Sequence, residues 1–118
     1  GRALWARELS SPSGLDVDGR LVVVPDDRGQ VHAFARSGAS VWRQDKLRLR
    51  GLSAPLLVPG FVLIGDSTGL VHGLARDDGA IAARLPTDGS AIVGAPVAAA
   101  GLAVVQTTAG ALHALSVE

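Results

Sequence analysis

The sequence repeats itself with a period of about 40 residues, and this period limits the possible folds more than any other feature. Segments 29–35, 69–75 and 110–116 read GQVHAFA, GLVHGLA and GALHALS, at offsets of 40 and 41 residues. The apolar runs 21–24, 61–64 and 102–105 keep the same register. A unit of this length without helical periodicity is typical of four short strands, as in one blade of a β-propeller. We therefore predict an all-β fold built from propeller blades.

The strands of one unit differ in how many of their faces are buried. The apolar runs predict a central strand that neighbouring blades cover on both faces. Segments 4–8 and 41–45 alternate apolar and polar residues, which is typical of an outer edge strand. If the strands are named A to D from the inside outwards, the chain reads D, ABCD, ABCD, ABC.

This order predicts about three four-stranded antiparallel blades that form part of a larger propeller. Residues 1–10 are the outer strand of an incomplete blade, and residues 11–50 and 51–90 are complete blades. Residues 91–118 are a last blade that lacks its outer strand.

Charge and composition exclude several classes of function. Eleven basic and eleven acidic residues give no net charge, so no overall field attracts nucleic acid or anionic lipid. The absence of cysteine excludes disulfides and thiolate nucleophiles from these 118 residues. No apolar stretch approaches the roughly 20 residues that a membrane-spanning helix needs. We expect no nucleic-acid partner.

Two groups of ionisable residues suggest chemistry but have simpler explanations. His32, His72 and His113 share one repeat position, so they lie on successive sheets about 10 Å apart, whereas zinc ligands lie within roughly 2.1 Å of the metal. Packing between blades is therefore predicted for them. The pairs 26–27 and 77–78 are aspartates ahead of glycine-ended turns, where aspartate is a favoured turn former. We expect no catalytic residue, cofactor site or metal site.

The loop DKLRLRG at residues 45–51 is the predicted site of partner binding. It joins strand D of one blade to strand A of the next, on a rim where propellers often bind. In this hypothesis the leucines contact the partner while the cations pair with its acidic groups. The alternative is a solvated loop whose leucines pack under the blade. The candidate residues are Lys46, Leu47, Arg48, Leu49 and Arg50.

Longer strings resemble a known family. Residues 33–42, AFARSGASVW, resemble the repeat of quinoprotein-like propellers, in which the tryptophan docks between blades. The strings VWRQD (41–45), LSAP (52–55), IGDSTG (64–69) and APV (95–97) resemble the carboxy-terminal blades of the BamB family, propeller lipoproteins of the outer-membrane β-barrel assembly machinery.

This resemblance implies an eight-bladed propeller and a non-catalytic scaffold that supports folding and insertion of outer-membrane β-barrel proteins. It implies a periplasmic location at the outer membrane, through a lipid on an upstream cysteine. The implied partner is the set of periplasmic domains of the barrel-assembly subunit BamA, and the main binding loops of the family lie in upstream blades.

Two alternatives stay open at this point. The same repeat occurs in pyrroloquinoline quinone-dependent dehydrogenases, which need a calcium-bound cofactor and a catalytic aspartate that have no recognisable match here. The second alternative concerns assembly, since three blades do not close a ring. Two copies of the isolated segment could form a homodimer by supplying Ala3–Leu9 to each other's last blade, or missing blades of a longer chain could complete the ring.

Overall fold

The computed structural model describes residues 6, 9, 11, 13–48 and 50–116, with Ala99 described by its backbone alone. The described residues form eleven strands in three antiparallel sheets. The first sheet contains β1 (Asp16–Val17), β2 (Leu21–Pro25), β3 (Val31–Ala35) and β4 (Ser40–Gln44). The second contains β5 (Leu56–Val58), β6 (Phe61–Gly65), β7 (Leu70–Ala75) and β8 (Ile81–Pro86), and the third β9 (Ile92–Ala99), β10 (Leu102–Thr107) and β11 (Leu112–Ser116).

The three sheets confirm the predicted strand order. Each sheet is a meander in which consecutive strands pair, so the chain reads ABCD, ABCD, ABC. The outer strand predicted at residues 3–9 lies almost entirely outside the described residues. None of the described residues forms a helix long and apolar enough to cross a membrane.

Aspartates close the hairpins between the second and third strands. Oδ1 of Asp26 accepts hydrogen bonds from the amides of Arg28 and Gln30, both at 2.9 Å. One repeat later, Oδ1 of Asp66 accepts from the amides of Thr68 and Leu70 at 2.8 and 3.1 Å. Asp26 therefore has the predicted turn-forming role, and Asp66 has the same role one repeat later.

Two apolar cores lie between successive sheets. The core between the first and second sheets contains residues with no exposed surface: Val23, Val31, Ala33, Leu47, Val62, Ile64 and Leu74. The core between the second and third sheets contains Val58, Leu63, Val71, Ile92, Ala103 and Val105. Val23, Val31 and Ala33 of β2 and β3 face the second sheet, because residues two apart on a strand share a face.

Trp42 joins the first sheet to the second in the way that the repeat resemblance implies. Its indole Nε1 donates a hydrogen bond to the carbonyl of Arg76 at 2.7 Å. The ring lies against Gly79, where an added Cβ would be 2.3 Å from Cε3 of the tryptophan. Gln44, on the same strand, donates from Nε2 to the carbonyl of Gly79 at 2.8 Å. The turn after β7 therefore binds the outer strand β4 of the preceding sheet.

Ionic and backbone contacts also join these two sheets. Nη2 of Arg76 lies 2.5 Å from Oδ2 of Asp18, in the turn after β1. The amides of Leu21 and Arg20 donate to the Asp18 carboxylate, and with Arg76 they lower its pKa to about 2. The amide of Leu57 donates to Oδ2 of Asp16 at 2.7 Å. These contacts fix the position of the first sheet relative to the second.

Candidate protein-binding surface

Because the strands of each sheet alternate in direction, the loops divide into two rims. One rim, which we call the loop rim, carries the turns after β2, β6 and β10 and the loops that join successive sheets. The opposite rim carries the turns after β1, β5 and β9 and those after β3 and β7. The basic segment 45–50 therefore lies on the same rim as the aspartate turns.

The five candidate residues of the basic loop have different environments. Lys46 and Arg48 are exposed, and Arg50 is half-buried. Leu49 lies outside the described residues. Leu47 has no exposed surface and belongs to the core between the first two sheets. The hypothesis of a partner contact by Leu47 therefore needs correction, because this side chain packs under the blade as the alternative held.

The body of the protein fixes both ends of the basic loop. The Lys46 amide donates to Oε1 of Gln44 at 2.9 Å. At the other end, the carbonyl of Arg50 accepts from the amide and the hydroxyl of Ser67, at 2.8 and 2.6 Å. Nη1 of Arg50 lies 3.4 Å from Oδ2 of Asp66. Leu47 lies in the core between these ends, so the backbone that carries Lys46 and Arg48 is held at several points.

Arg28 adds a third cation, which the sequence analysis did not consider. It is exposed in the turn after β2, and its side chain lines an open groove together with Asp27, Gln30 and Arg48. Within the described residues, no ion pair involves the side chain of Arg28, Lys46 or Arg48. These three cations, which we call the rim cations, are free to meet acidic groups of another molecule.

Each of the three repeat histidines pairs with an aspartate. Nε2 of His32 lies 2.9 Å from Oδ2 of Asp26, and Nε2 of His72 lies 2.7 Å from Oδ2 of Asp66. Sequence reasoning treated the histidines as packing residues and the aspartates as turn formers, and it missed these pairs. In the first two pairs the aspartate precedes the histidine by six residues, and this repeated spacing was the available signal. Among the described residues, no group of three histidine or carboxylate side chains could hold a metal ion.

The third pair takes its aspartate from a different place. Thr107 stands where Asp66 stands one repeat earlier, and Asp88 comes from the loop that joins the second and third sheets. Oδ2 of Asp88 accepts from the Thr107 hydroxyl at 2.6 Å and lies 3.3 Å from Nε2 of His113. Hydrogen bonds from Ser90 and Thr107 hold the pKa of the Asp88 carboxyl far below its usual range.

The second pair, Asp66 and His72, is fully buried. Burial raises the pKa of Asp66, but hydrogen bonds from His72, Thr68 and Leu70 outweigh burial and hold its pKa below the ordinary value. Burial lowers the pKa of His72 despite the adjacent carboxylate. Nδ1 of His72 has no hydrogen-bond partner, so a proton there would be a buried unsatisfied donor. Neutral His72 therefore donates a hydrogen bond from Nε2 to ionised Asp66. The same carboxylate accepts a hydrogen bond from Nη1 of Arg50 in the basic loop.

Solved structures share the fold of the three sheets. The crystal structure of BamB from Moraxella catarrhalis superposes on 99% of the chain with a TM-score of 0.89 at 29% identity, and the chain covers 35% of that structure. A quinohemoprotein alcohol dehydrogenase from Comamonas testosteroni superposes on 84% of the chain with a TM-score of 0.64. The identity to the dehydrogenase is 22%, and the chain covers 17% of it, so this likeness shows the fold alone.

Sequence comparison identifies the family. A family model described as outer membrane protein assembly factor BamB matches residues 1–44 and 27–118. The assembly factor of that name from Burkholderia pseudomallei is 45% identical over 114 residues, which are 96% of this chain and 30% of that protein. The chain thus spans about a third of the length of the curated relatives it matches. Family model, relatives and fold agree that the chain belongs to the family of the outer membrane protein assembly factor BamB.

Proposed function

We propose that this chain forms part of a non-catalytic scaffold that supports the folding and insertion of outer-membrane β-barrel proteins. The relatives it matches are named as assembly factors, which supports a periplasmic place at the outer membrane. In this proposal the partner is a protein, the periplasmic portion of the barrel-assembly subunit BamA. Since the chain spans part of its relatives' length, it supplies one of several contacts.

The observation that carries this proposal is the exposure of Lys46 and Arg48 on an anchored loop of the loop rim. Leu47, the Gln44 side chain and the Ser67 hydroxyl hold the backbone of the loop. Fixing a binding loop before contact lowers the conformational entropy lost on binding. Exposed cations at a rim chiefly raise the rate of association with an acidic surface and contribute modestly to affinity.

The test measures binding of the purified periplasmic domains of BamA to the chain at low and moderate salt. We expect Lys46→Glu/Arg48→Glu to weaken binding roughly tenfold, since each exposed ion pair contributes up to about 1 kcal/mol. The dependence of affinity on salt should flatten at the same time. Reversal of these two charges should leave the free energy of unfolding nearly unchanged.

The matched control is Arg20→Glu, which reverses an exposed cation on the opposite rim. Its affinity for the BamA domains should equal that of the unmodified chain. An unchanged affinity of the double variant, or an equal loss in Arg20→Glu, would remove the basic loop from the proposal.

A further inference from the structure

The carboxylate of Asp66 lies under the loop rim, has no exposed surface and is hydrogen-bonded at both oxygens. Its Oδ1 accepts hydrogen bonds from the Thr68 and Leu70 amides and from the Thr68 hydroxyl, the last at 2.7 Å. Its Oδ2 meets Nε2 of His72 at 2.7 Å and Nη1 of Arg50 at 3.4 Å. A carboxylate offers about four lone-pair sites, so these contacts use its acceptor capacity and fix its direction.

The pairing of Arg50 with Asp66 belongs to one repeat of the chain. At the offsets of 40 and 41 residues, the positions equivalent to Arg50 are Ser10 and Ala91. Neither of these side chains can form an ion pair. In the third sheet the aspartate is also absent, because Thr107 stands in its place. The pair is therefore not a requirement of the repeat.

Backbone contacts join the inter-sheet loop to the blade without this pair. The amide of Ser67 donates to the carbonyl of Arg50 at 2.8 Å. One repeat later, the amide of Thr108 donates in the same way to the carbonyl of Ala91 at 2.9 Å. The third sheet thus keeps the backbone bond although it lacks both charged side chains. An ion pair that is not needed to attach the loop can serve to position the Arg50 guanidinium.

Arg50 links the buried carboxylate to the exposed rim. Its side chain is 33% exposed, whereas that of Asp66 is fully buried. A guanidinium has five N–H donors in a planar fork, and among the described residues Asp66 is the one acceptor that the Arg50 side chain binds. Donors on the exposed part of the fork are available to a carboxylate of another molecule. Because the anchor exists before contact, less side-chain entropy is lost on binding.

The charges of this cluster allow positioning to be separated from simple attraction. Ionised Asp66, neutral His72 and cationic Arg50 together carry no net charge. Removal of the Asp66 charge would make the rim more positive, so Coulomb attraction to an acidic partner would increase. Loss of the anchor would lower the affinity instead, because Arg50 would then become ordered only on binding. The sign of the change in affinity distinguishes the two effects.

We propose that Asp66 is a positioning residue for partner binding. Its buried carboxylate holds the Arg50 guanidinium at the loop rim, so that Arg50 acts together with the rim cations on the carboxylates of an acidic protein surface. Because it concerns the same loop and the same partner, this role of Asp66 rests on the proposed function.

Affinity for the purified periplasmic domains of BamA tests this role. Asp66→Asn keeps an oxygen acceptor for the turn amides but can place an amide donor, in place of Oδ2, towards Arg50. We expect its affinity to fall roughly threefold, although the change removes a negative charge. The control Asp88→Asn removes a negative charge from the same rim, where the carboxylate pairs with His113, and should not weaken binding. An unchanged or higher affinity of Asp66→Asn would overturn the proposal.

A double-mutant cycle shows whether Asp66 acts through Arg50. Circular dichroism first establishes that each variant is folded. In the Arg50→Gln background, Asp66→Asn should cause no further loss of affinity for the BamA domains, because the side chain that it positions is already gone. Additive losses would contradict a positioning role.

Arg50→Lys tests the same role without a change at the buried aspartate, and so does not depend on the folding of Asp66→Asn. Lysine keeps the charge but lacks the planar fork that would bind Asp66 and the partner at once. We expect Arg50→Lys to weaken binding roughly threefold, whereas Arg20→Lys on the opposite rim should leave affinity unchanged. Equal affinities of these two variants would overturn the proposal.

The mobility of the Arg50 side chain gives a test that needs no partner. Nuclear magnetic resonance relaxation of the arginine Nε–Hε groups in the free chain should show an ordered Arg50 and a mobile Arg48. An Arg50 as mobile as Arg48 would overturn the positioning role and leave the proposed function in place. Absence of BamA binding by the unmodified chain would overturn the proposed function together with this role of Asp66.

Discussion

Replacement of Trp42 by alanine should destabilise the protein more than other single truncations of its outer strands. The side chain is 7% exposed, and it fills the space between β4 and the turn at Gly79. Truncation of a large aromatic residue in a core costs about 3–5 kcal/mol, because a cavity remains where the ring packed. The carbonyl of Arg76 also loses its indole donor, a further cost of about 1 kcal/mol if water does not replace it.

A double-mutant cycle with Gly79→Ala isolates this contact. Gly79→Ala alone should also be destabilising, because its Cβ would overlap the indole ring and because its φ is +75°. In the Trp42→Ala background the overlap disappears and only the backbone strain remains, so the two costs should sum to more than the cost of the double variant. The assay is urea unfolding followed by far-ultraviolet circular dichroism, which reports chiefly on the backbone and so remains usable when Trp42 is removed. Additive costs, or a loss below about 1 kcal/mol in Trp42→Ala, would refute the docking of Trp42 on Gly79.

Two further predictions concern the second sheet. Gly65→Ala should cost about 1–3 kcal/mol by overpacking, because its Cβ would lie 2.5 Å from the side chain of Ile92, whereas Gly19→Ala, which meets no atom within 4 Å, should be nearly neutral in the same urea assay. Because the folded pKa of His72 lies below its unfolded value of about 6.5, its contribution to stability is complete above pH 6.5 and is lost as the pH falls through the folded pKa. Stability of the unmodified chain should therefore fall on acidification from pH 6.5, before most carboxylates titrate, and His72→Gln should flatten the curve in this window; parallel curves would contradict the neutral state of buried His72.

The sequence predicted the fold well because the fold is a repeat. Strand identity follows from local patterns, namely the continuous apolar run of β2 and β6 and the alternation of β4. The glycines and aspartates of the turns fix where each strand ends. These signals recur at the same offsets, so that each unit supports the assignment of the others.

The surface was less predictable because its contacts join distant parts of the chain. Leu47 alternates with cations in the sequence, a pattern that suggested a partner-facing residue. Its side chain is instead buried between two sheets, and the packing of those sheets cannot be read from the local sequence. Asp88 pairs with His113 from 25 residues away along the chain, whereas Thr107 stands at the position that Asp26 and Asp66 occupy in the other repeats. Arg28 and Arg48 share a groove because two separate loops reach the same rim.

Nuclear magnetic resonance can map the surface of the chain that meets the partner. Amide resonances of the isotope-labelled chain would be followed by nuclear magnetic resonance during titration with the purified periplasmic domains of BamA. We expect shifts to concentrate on the loop rim, in residues 27–30 and 45–51, while the resonances of residues 18–20 and 59–60 on the opposite rim stay unchanged. Shifts centred on the opposite rim, or no shifts at concentrations where the full-length relatives bind, would contradict it.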